Sequence, residues 1–308
     1  MRIAVMGSGG VGGYFGARLA QGGADVAFVA RGAHLAALQN QGLTVESPLG
    51  DLHLAQVRAT DDPATLGRVD FVLVTVKLWD TEAAARAIAP IVGPKTGVIS
   101  FQNGVQRDET LRAVLGNEPV MGGVSNVSAT IARPGVIRQV GTMQRLIFGE
   151  YDGSRSERAE AFLQACQNGG IEAQLSPDIR KAIWEKFVFL ASMAGATTTM
   201  RSTIGPIRAN PQTRAFLRDL MQEAVAVGRA QGVALAGDFA EKRLAFVDGL
   251  PAEMTSSMHH DFEHGNRLEV PWLSGGVVAL GRESGVPTPL HRAVFDILAL
   301  YADGQRGT

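Results

Sequence analysis

The stretch that decides the fold stands at the start of the chain: Arg2-Ile3-Ala4-Val5-Met6-Gly7-Ser8-Gly9-Gly10-Val11-Gly12. Its first five residues are typical of a short buried strand, and a helical pattern runs from Val11 to Gln21. Between them the glycines follow G-x-G-x-x-G, the turn of a dinucleotide-binding unit. In such a turn Gly7 permits the tight bend, Gly9 lets the backbone approach a pyrophosphate, and Gly12 lets the helix pack closely on the sheet.

This turn can bind phosphate through its main chain, because a helix N-terminus offers N–H groups and the positive end of the helix dipole. We therefore expect the pyrophosphate to lie on the whole turn, which comprises Gly7, Ser8, Gly9, Gly10, Val11 and Gly12. The competing interpretation is a tight turn that binds nothing, since glycine-rich turns are common in other contexts.

Length and composition indicate an ordinary globular protein of two domains. The chain has 308 residues, of which 45% are hydrophobic and 19% charged, so it can bury two cores. A formal net charge of −1 gives no electrostatic footprint for nucleic acid or an anionic membrane, and we expect neither as a partner. No apolar run approaches the roughly 18 residues of a membrane helix, and the chain begins with a strand rather than a signal peptide. We therefore expect a cytoplasmic protein.

The first half alternates short aliphatic runs with helical patterns, which is typical of βαβ units and a parallel sheet. After residues 2–6, strands are expected at 25–30, 71–76, 98–101 and 120–124. Residues 127–149 have the pattern of antiparallel strands that close one edge of the sheet. The prediction is an α/β fold with an N-terminal Rossmann-type doubly wound sheet over residues 1–175.

From residue 176 the pattern becomes helical, and we expect an all-helical C-terminal domain over residues 176–308. Ser176-Pro177-Asp178 resembles a helix N-terminus with a serine cap and a proline in the first turn. Asp238 with Glu241 three residues later resembles a capping box. Helices are expected at 179–193, 211–231, from 238 onward, and at 254–267, 273–284 and 289–301.

The residue after the second predicted strand bears on the choice of dinucleotide. NAD-binding folds usually carry an acidic residue there, which binds the ribose 2′-hydroxyl. This chain has Arg31 at that place. A guanidinium can hold a 2′-phosphate with paired hydrogen bonds, whereas a carboxylate would repel it. Arg31 therefore favours NADP(H) over NAD, against the alternative of a solvated loop arginine.

Three polar residues further along the chain are candidates for chemistry. Lys77 directly follows the buried run 71–76, and Asn103 follows the next predicted strand. Both mark carboxyl ends of parallel strands, where open α/β sheets bind ligands. Lys186 lies amid large apolar residues of a predicted helix. Such a lysine either extends its stem to solvent or is partly desolvated, which would make it a usable proton donor.

Together these features resemble the ketopantoate reductase (2-dehydropantoate 2-reductase) family over nearly the whole chain. The matching motifs are the glycine turn, Val-Lys-x-Trp at 76–79, Gln-Asn-Gly at 102–104, Trp-x-Lys at 184–186, Thr-Ser-Ser-Met at 255–258, Glu269 and Gly-Val-Pro-Thr-Pro at 285–289. The resemblance implies NADPH-dependent reduction of a 2-oxo acid, nominally of ketopantoate to pantoate in pantothenate biosynthesis. The implied cofactor is NADP(H), and the implied partner is a small-molecule 2-oxo acid.

The resemblance also implies roles for individual residues. Lys186 would donate the proton to the ketone oxygen and stabilise its negative charge. Glu269 would orient Lys186 and hydrogen-bond the new hydroxyl. Ser257 and Asn103 would hold the substrate carboxylate, and Asn103 and Lys77 would also lie near the cofactor. Without the family pattern, Glu269 could equally be a surface acid, and Ser257 an ordinary helix-start serine.

One departure from the family pattern concerns the substrate. The family usually carries asparagines four and eight residues after the catalytic lysine, where they face a hydroxyl of the substrate, but this chain has Leu190 and Ala194. Neither can hydrogen-bond, and a desolvated hydroxyl without a partner costs about 1–3 kcal/mol. A related, more apolar 2-oxo or hydroxy acid is therefore an alternative substrate. A non-catalytic NADP-binding redox sensor is an alternative of another class, which the presence of both Lys186 and Glu269 disfavours.

The cysteine and the clustered histidines predict structural roles. Cys166 is the one cysteine, so no intrachain disulfide forms, and its apolar helical context predicts a buried thiol. His260 and His264 could share a helix face, but spacing places no third ligand beside them, and we expect no metal. The helical half offers faces on which a homodimer could form, and a monomer is also compatible with the sequence.

Overall fold

The computed structural model describes residues 1–304, and the chain forms two compact units. The first comprises Met1–Gln102 and Arg107–Ala182, and the second comprises Asn103–Gln106 and the chain from Ile183 on. The helix Ile179–Met200 therefore contributes residues to both units. The division into functional domains at 1–175 and 176–308 stays a prediction.

The described part of the first unit contains a ten-stranded sheet. Its strands are β1 (Arg2–Met6), β2 (Asp25–Val29), β3 (Leu43–Glu46), β4 (Leu52–Leu54), β5 (Arg58–Thr60), β6 (Phe71–Val74), β7 (Gly97–Ser100), β8 (Val120–Arg133), β9 (Val136–Gly149) and β10 (Glu172–Leu175). The parallel part has the order β5-β2-β1-β6-β7-β8, so the chain builds outward from β1 on one side and then returns to its other side. The order reverses between β1 and β6, and this switch point is where such sheets bind ligands.

The other edge of the sheet is built around a long hairpin. β8 and β9 pair antiparallel, as predicted for 127–149, and turn at Gly135 with a φ of +79°. β8 extends nine residues beyond the predicted end at 124, because its outer half pairs with β9 rather than with the parallel strands. β3 and β10 flank β9 in parallel, and β4 pairs antiparallel with β3. β3, β4, β5 and β10 were not predicted from the sequence.

Five helices cover the two faces of this sheet: α1 (Gly10–Gln21), α2 (Gly32–Gln41), α3 (Thr81–Ile88), α4 (Arg107–Leu115) and α5 (Glu157–Asn168). Alternate residues of one strand enter opposite cores. Phe71 and Leu73 of β6 join one hydrophobic cluster, and Val72 and Val74 join the other. This burial on both faces confirms the doubly wound fold. Cys166 is fully buried, as predicted, and burial raises the pKa of its thiol.

The second unit is helical in its described part, which confirms the predicted fold class. Its helices are α6 (Ile179–Met200), α7 (Ile204–Ala209), α8 (Pro211–Ala230), α9 (Phe239–Asp248), α10 (Ser257–Glu263), α11 (Ser274–Ser284) and α12 (Pro289–Leu298). Among residues 1–304 there is no helix with both the length and the apolar character that crossing a membrane requires.

The predicted start of α6 at residue 179 is correct, but its predicted cap, Ser176, and its predicted end at 193 were wrong. Ser176 still pairs with the sheet, since its N–H donates to the Phe148 oxygen at 2.9 Å. The cap is Asp178, whose Oδ1 accepts from the Lys181 N–H at 3.0 Å. The helix continues to Met200, and the next residue, Arg201, takes a left-handed φ of +51°. The N–H groups of Arg201 and Ser202 donate to the oxygens of Thr198 and Thr197, the two hydrogen bonds of a Schellman motif.

Two further helix predictions need correction. Asp238 and Glu241 form no capping box, because the Asp238 carboxylate pairs with Lys242 at 2.9 Å and Glu241 accepts a hydrogen bond from Gln222. The helix predicted over 254–267 covers only Ser257–Glu263. The side chain of Ser256 caps its start, and Gly265 lies beyond its end with a φ of +66°.

Candidate active site

The glycine turn lies at the carboxyl end of β1, at the switch point of the sheet. Gly7 has a φ of +101°, a backbone conformation that glycine adopts without strain. The N–H groups of Gly7 and Ser8 both donate to the Val29 oxygen, at 3.2 and 3.1 Å, and Thr75 Oγ1 donates to the Gly7 oxygen at 2.6 Å. The turn is thus held by β2 on one side and by the end of β6 on the other.

The three positions of the glycine motif differ in the space beside them. A Cβ at Gly7 or Gly12 would overlap atoms of the turn or of the segment after β6. A Cβ at Gly9 would meet nothing within 4 Å, and the φ of −74° there suits any residue. The open side of the turn therefore lies over Gly9, next to the N-terminus of α1. This open space beside a helix N-terminus fits a pyrophosphate.

This open side belongs to a cavity of about 370 Å³ in the first unit. Its lining includes Met6, Gly7, Ser8, Gly9, Val29, Ala30, Arg31, His34, Asp61, Val76, Asp80, Ala83, Ala84, Ala87 and Ile131. The cavity thus brings Arg31 together with the predicted phosphate-binding turn. Sequence reasoning missed His34, Asp61, Asp80 and Ile131, which come from separate elements.

The charged side chains of this cavity interact with one another. Arg31 is the N-cap residue of α2, and its Nη2 lies 3.1 Å from Oδ2 of Asp80. Asp80 ends the short 3-10 turn Leu78–Asp80, which follows β6. Lys77 precedes that turn with an exposed side chain, and its Nζ lies 5.7 Å from the centre of the Trp79 ring. Lys77 itself is not in the lining, although Val76 and Asp80 on either side of it are.

His34 connects the glycine turn to the β8–β9 hairpin. Its Nδ1 accepts a hydrogen bond from the Gly135 N–H at 3.1 Å, so the ring proton lies on Nε2. That Nε2–H donates to the Ser8 oxygen at 2.9 Å. Burial lowers the pKa of His34, and the hydrogen bond to Ser8 opposes this only in part. The neutral ring with both bonds is therefore the favoured form.

The other predicted site residues belong to the second unit. Asn103 is half-buried in the segment Asn103–Gln106, whose Val105 packs against the hydrophobic core of that unit. Lys186 is half-buried on α6, and Trp184 and Phe187, which are near it in sequence, are buried. Glu269 lies before α11 and is only 6% exposed, so the alternative of a surface acid is wrong.

Ser257 lies at the start of α10, as its alternative interpretation supposed, but it is not the cap. The capping serine of α10 is Ser256, whose Oγ accepts from the His259 N–H at 3.1 Å, and Ser257 follows it as the exposed first helical residue. The Oγ of Ser256 also lies 2.9 Å from Thr197 Oγ1 of α6. Ser257 therefore stands beside the C-terminal half of the helix that carries Lys186.

The two helix positions that lack asparagine are apolar and largely buried. Leu190 is half-buried one turn after Lys186, and Ala194 is 2% exposed one turn further on. Both contribute to the hydrophobic cluster of the second unit. The face of α6 beyond Lys186 thus presents hydrocarbon where the family pattern has amides.

The histidines of α10 form no metal centre in the described residues. The rings of His260 and His264 are in contact, tilted by 49° with their centres 4.1 Å apart, and His264 Nδ1 bonds the main-chain oxygen of His260 at 2.8 Å. Across residues 1–304, no group of three or more His, Cys, Asp or Glu side chains is placed to bind a metal ion.

A switch-point glycine turn that opens into a cavity, followed in the chain by a helical unit, defines the class of this protein: a Rossmann-type dinucleotide-binding fold. Comparison with known families agrees. Residues 3–153 match the family described as "Ketopantoate reductase PanE/ApbA", and residues 178–302 match its C-terminal domain. The chain belongs to the ketopantoate reductase family, whose members are oxidoreductases that act on CH–OH groups with a nicotinamide cofactor.

Individual relatives match over almost their whole length. A 2-dehydropantoate 2-reductase of Mesorhizobium japonicum is 34% identical, with 98% of each chain covered. The crystal structure of 2-dehydropantoate 2-reductase from Geobacter metallireducens superimposes with a TM-score of 0.91 at 30% identity, covering 97% of this chain and 99% of that one. D-mandelate dehydrogenase in a ternary structure with NADH and anilino(oxo)acetate has a TM-score of 0.88 at 18% identity over 98% of both chains, which shows a shared fold.

Proposed function

We propose that this protein reduces a 2-oxo acid to a 2-hydroxy acid with NADPH. The observation that carries the proposal is the open space over Gly9, in a cavity at the sheet's switch point that also contains Arg31. Family membership supplies the reaction type. The main-chain N–H groups at the start of α1 hold the pyrophosphate, and the Arg31 guanidinium holds the 2′-phosphate.

The chemistry on the substrate falls to residues of the second unit. NADPH, when bound, supplies the hydride. Lys186 places an ammonium on the ketone oxygen, stabilises the negative charge that develops there, and donates the proton. Its half-buried position on α6 supports this role, because an ammonium interacts more strongly with a nearby oxyanion where water is partly excluded.

Supporting residues position the substrate and the lysine. Glu269 orients Lys186, which its near-complete burial supports, because a buried carboxylate is stable only with polar or charged partners. Ser257 and Asn103 hold the substrate carboxylate, and the exposed Ser257 hydroxyl is available for a ligand. Lys77 lies near the cofactor, three residues beyond the end of β6 and directly before the turn Leu78–Asp80.

Ketopantoate is the nominal substrate, and a more apolar 2-oxo acid is the second candidate. The second is favoured by Leu190 and Ala194, which offer no hydrogen bond to a hydroxyl. A hydroxyl buried there without a partner would cost about 1–3 kcal/mol, or roughly tenfold to a hundredfold in specificity.

The experiment is to follow the loss of NADPH absorbance with a panel of 2-oxo acids. The key comparison is kcat/KM for ketopantoate against its analogue without the hydroxyl. A strong preference for ketopantoate supports the nominal substrate, and a preference for the analogue supports the apolar one. Tight NADPH binding without turnover of any 2-oxo acid or hydroxy acid would contradict the proposal and favour a non-catalytic sensor.

A further inference from the structure

The cavity that is to hold the 2′-phosphate already contains an anionic partner for its arginine. Nη2 of Arg31 lies 3.1 Å from Oδ2 of Asp80, within hydrogen-bond distance. The two residues are 49 positions apart and reach the cavity from α2 and from the turn after β6. A phosphate bound to Arg31 would therefore approach the Asp80 carboxylate as well.

The other charged residues of the cavity lining also affect the binding of a phosphate. Three charged side chains line the cavity, namely Arg31, Asp61 and Asp80, and His34 beside them is neutral in its favoured form. One cation thus faces two carboxylates. A 2′-phosphate adds about two negative charges to this group, whereas the 2′-hydroxyl of NADH adds none. Coulomb repulsion from Asp80 therefore weakens the binding of NADPH selectively.

The same carboxylate can interact favourably with an unphosphorylated ribose. An acidic side chain that accepts a hydrogen bond from the 2′-hydroxyl is the usual means of binding NAD in this fold class. That acid normally follows the second strand, where this chain has Arg31. Asp80 provides a carboxylate from the turn after β6, and its Oδ2 lies 3.1 Å from Nη2 of the arginine in that place.

We propose that Asp80 is a specificity-determining residue that allows the protein to use both NADH and NADPH. With NADPH, the 2′-phosphate replaces Asp80 as the partner of Arg31. With NADH, the ion pair remains, and Asp80 accepts the hydrogen bond of the ribose 2′-hydroxyl. This inference rests on the proposed function only in requiring a nicotinamide dinucleotide in the cavity.

The test measures dissociation constants for NADPH and NADH by fluorescence titration of the wild type and of Asp80→Asn. Because the side chain of Arg31 is 77% exposed, the pair is worth at most about 1 kcal/mol, so NADPH should bind about fivefold more tightly to the variant. NADH should bind several-fold more weakly, since an amide is a poorer partner for a hydroxyl than a carboxylate is. Asp80→Ser repeats the test with a side chain that suits the start of α3, in case the amide disturbs folding.

Two controls separate the ion pair from the general charge of the cavity. Asp61→Asn removes the same charge from the same lining, and its effect on the NADPH/NADH ratio should be smaller than that of Asp80→Asn. In an Arg31→Gln background, Asp80→Asn should lose most of its effect on NADPH, as coupled residues do in a double-mutant cycle.

The outcomes distinguish this inference from the proposed function. If the ratio is unchanged in Asp80→Asn and Asp80→Ser, or if Asp61→Asn shifts it equally, the role of Asp80 is refuted while the reductase proposal stands. If the wild type binds neither dinucleotide, the proposed function fails as well. A wild type that binds NADPH more than a thousandfold better than NADH would also refute the inference, because the lining would then not moderate the preference.

Discussion

The imidazole of His34 donates a hydrogen bond from Nε2 to the main-chain oxygen of Ser8, over 2.9 Å. Ser8 is the second residue of the glycine turn, so a side chain of α2 fixes the main chain on which the pyrophosphate is expected to lie. The bond that His34 Nδ1 accepts from Gly135 keeps the ring in the tautomer that can make this contact.

We predict that replacing His34 with leucine weakens the binding of NADPH. Loss of a hydrogen bond worth about 1 kcal/mol should raise the dissociation constant about fivefold, because the turn is no longer held in its binding conformation. His34→Gln is the matched variant, since an amide can both donate and accept, and it should retain most of the affinity. Fluorescence titration measures both. Equal affinity in the leucine variant and the wild type would show that the turn needs no support from His34.

Alanine substitutions at two glycines of the turn should have different effects, one on stability and the other on NADPH binding. Gly12→Ala should lower the free energy of unfolding by about 1–3 kcal/mol, since its Cβ would overlap the Gly7 oxygen and Thr75 Oγ1. Gly9→Ala should leave stability within about 0.5 kcal/mol of the wild type, because nothing lies within 4 Å of its Cβ. The same variant should weaken NADPH binding about tenfold or more, since the methyl group occupies the space expected for the pyrophosphate.

Urea denaturation and cofactor titration of the two variants measure these effects separately. If Gly9→Ala binds NADPH as tightly as the wild type, the dinucleotide does not lie on this turn.

The buried His291 predicts a pH dependence of stability. Its ring is fully buried on α12, and burial lowers its pKa to about 4, although Nε2 bonds the Leu220 oxygen at 3.1 Å. The pKa of His291 is lower in the folded state than the 6.5 of the unfolded state. The neutral ring therefore makes its full contribution to the free energy of unfolding above pH 6.5, and this contribution is lost as the pH falls towards 4. Between pH 7 and pH 5, the titration of His291 alone should lower the free energy of unfolding by about 2 kcal/mol.

Urea denaturation at several pH values checks this, with His291→Leu as the test and His260→Gln, an exposed histidine of α10, as the control. As the pH falls, the wild type should lose stability relative to His291→Leu, while the control follows the wild type. Parallel curves for the wild type and His291→Leu would show that the ring does not titrate with a lowered pKa.

Local sequence predicted the main elements of the fold, and long-range pairing explains most of what it missed. The first strand, turn and helix could be predicted because glycine pattern and hydrophobic runs are neighbours in sequence. β3 and β4 have only four and three residues, and β3 is defined by pairing Thr44 with Val136, far away in the chain. Helix caps and ends were predicted wrongly where an interaction with another element decided them. Ser176, for example, was predicted to cap α6 but pairs with Phe148 of the sheet.

The candidate site shows the same limit. Arg31 could be predicted from its place after the second strand, but its partner Asp80 carries no local signal, because the two meet only where β2 and β6 flank β1. His34 likewise acquires its role from Gly135, which is 101 residues away. The roles of Lys186, Glu269, Ser257, Asn103 and Lys77 stay predictions that come from the family pattern.

The central claim is that the Lys186 ammonium protonates the reduced ketone, and one comparison of variants tests it directly. Steady-state reduction of the best 2-oxo acid by NADPH should be measured for the wild type, Lys186→Met and Lys181→Met, a lysine on the same helix. We expect Lys186→Met to lower kcat by about 10²–10⁴-fold, and to lose the fall in rate at high pH that deprotonation of the ammonium causes. NADPH affinity should change little, because the cavity lining belongs to the first unit. Lys181→Met should resemble the wild type. A Lys186→Met variant that retains kcat within about threefold of the wild type, with an unchanged pH profile, would contradict the account.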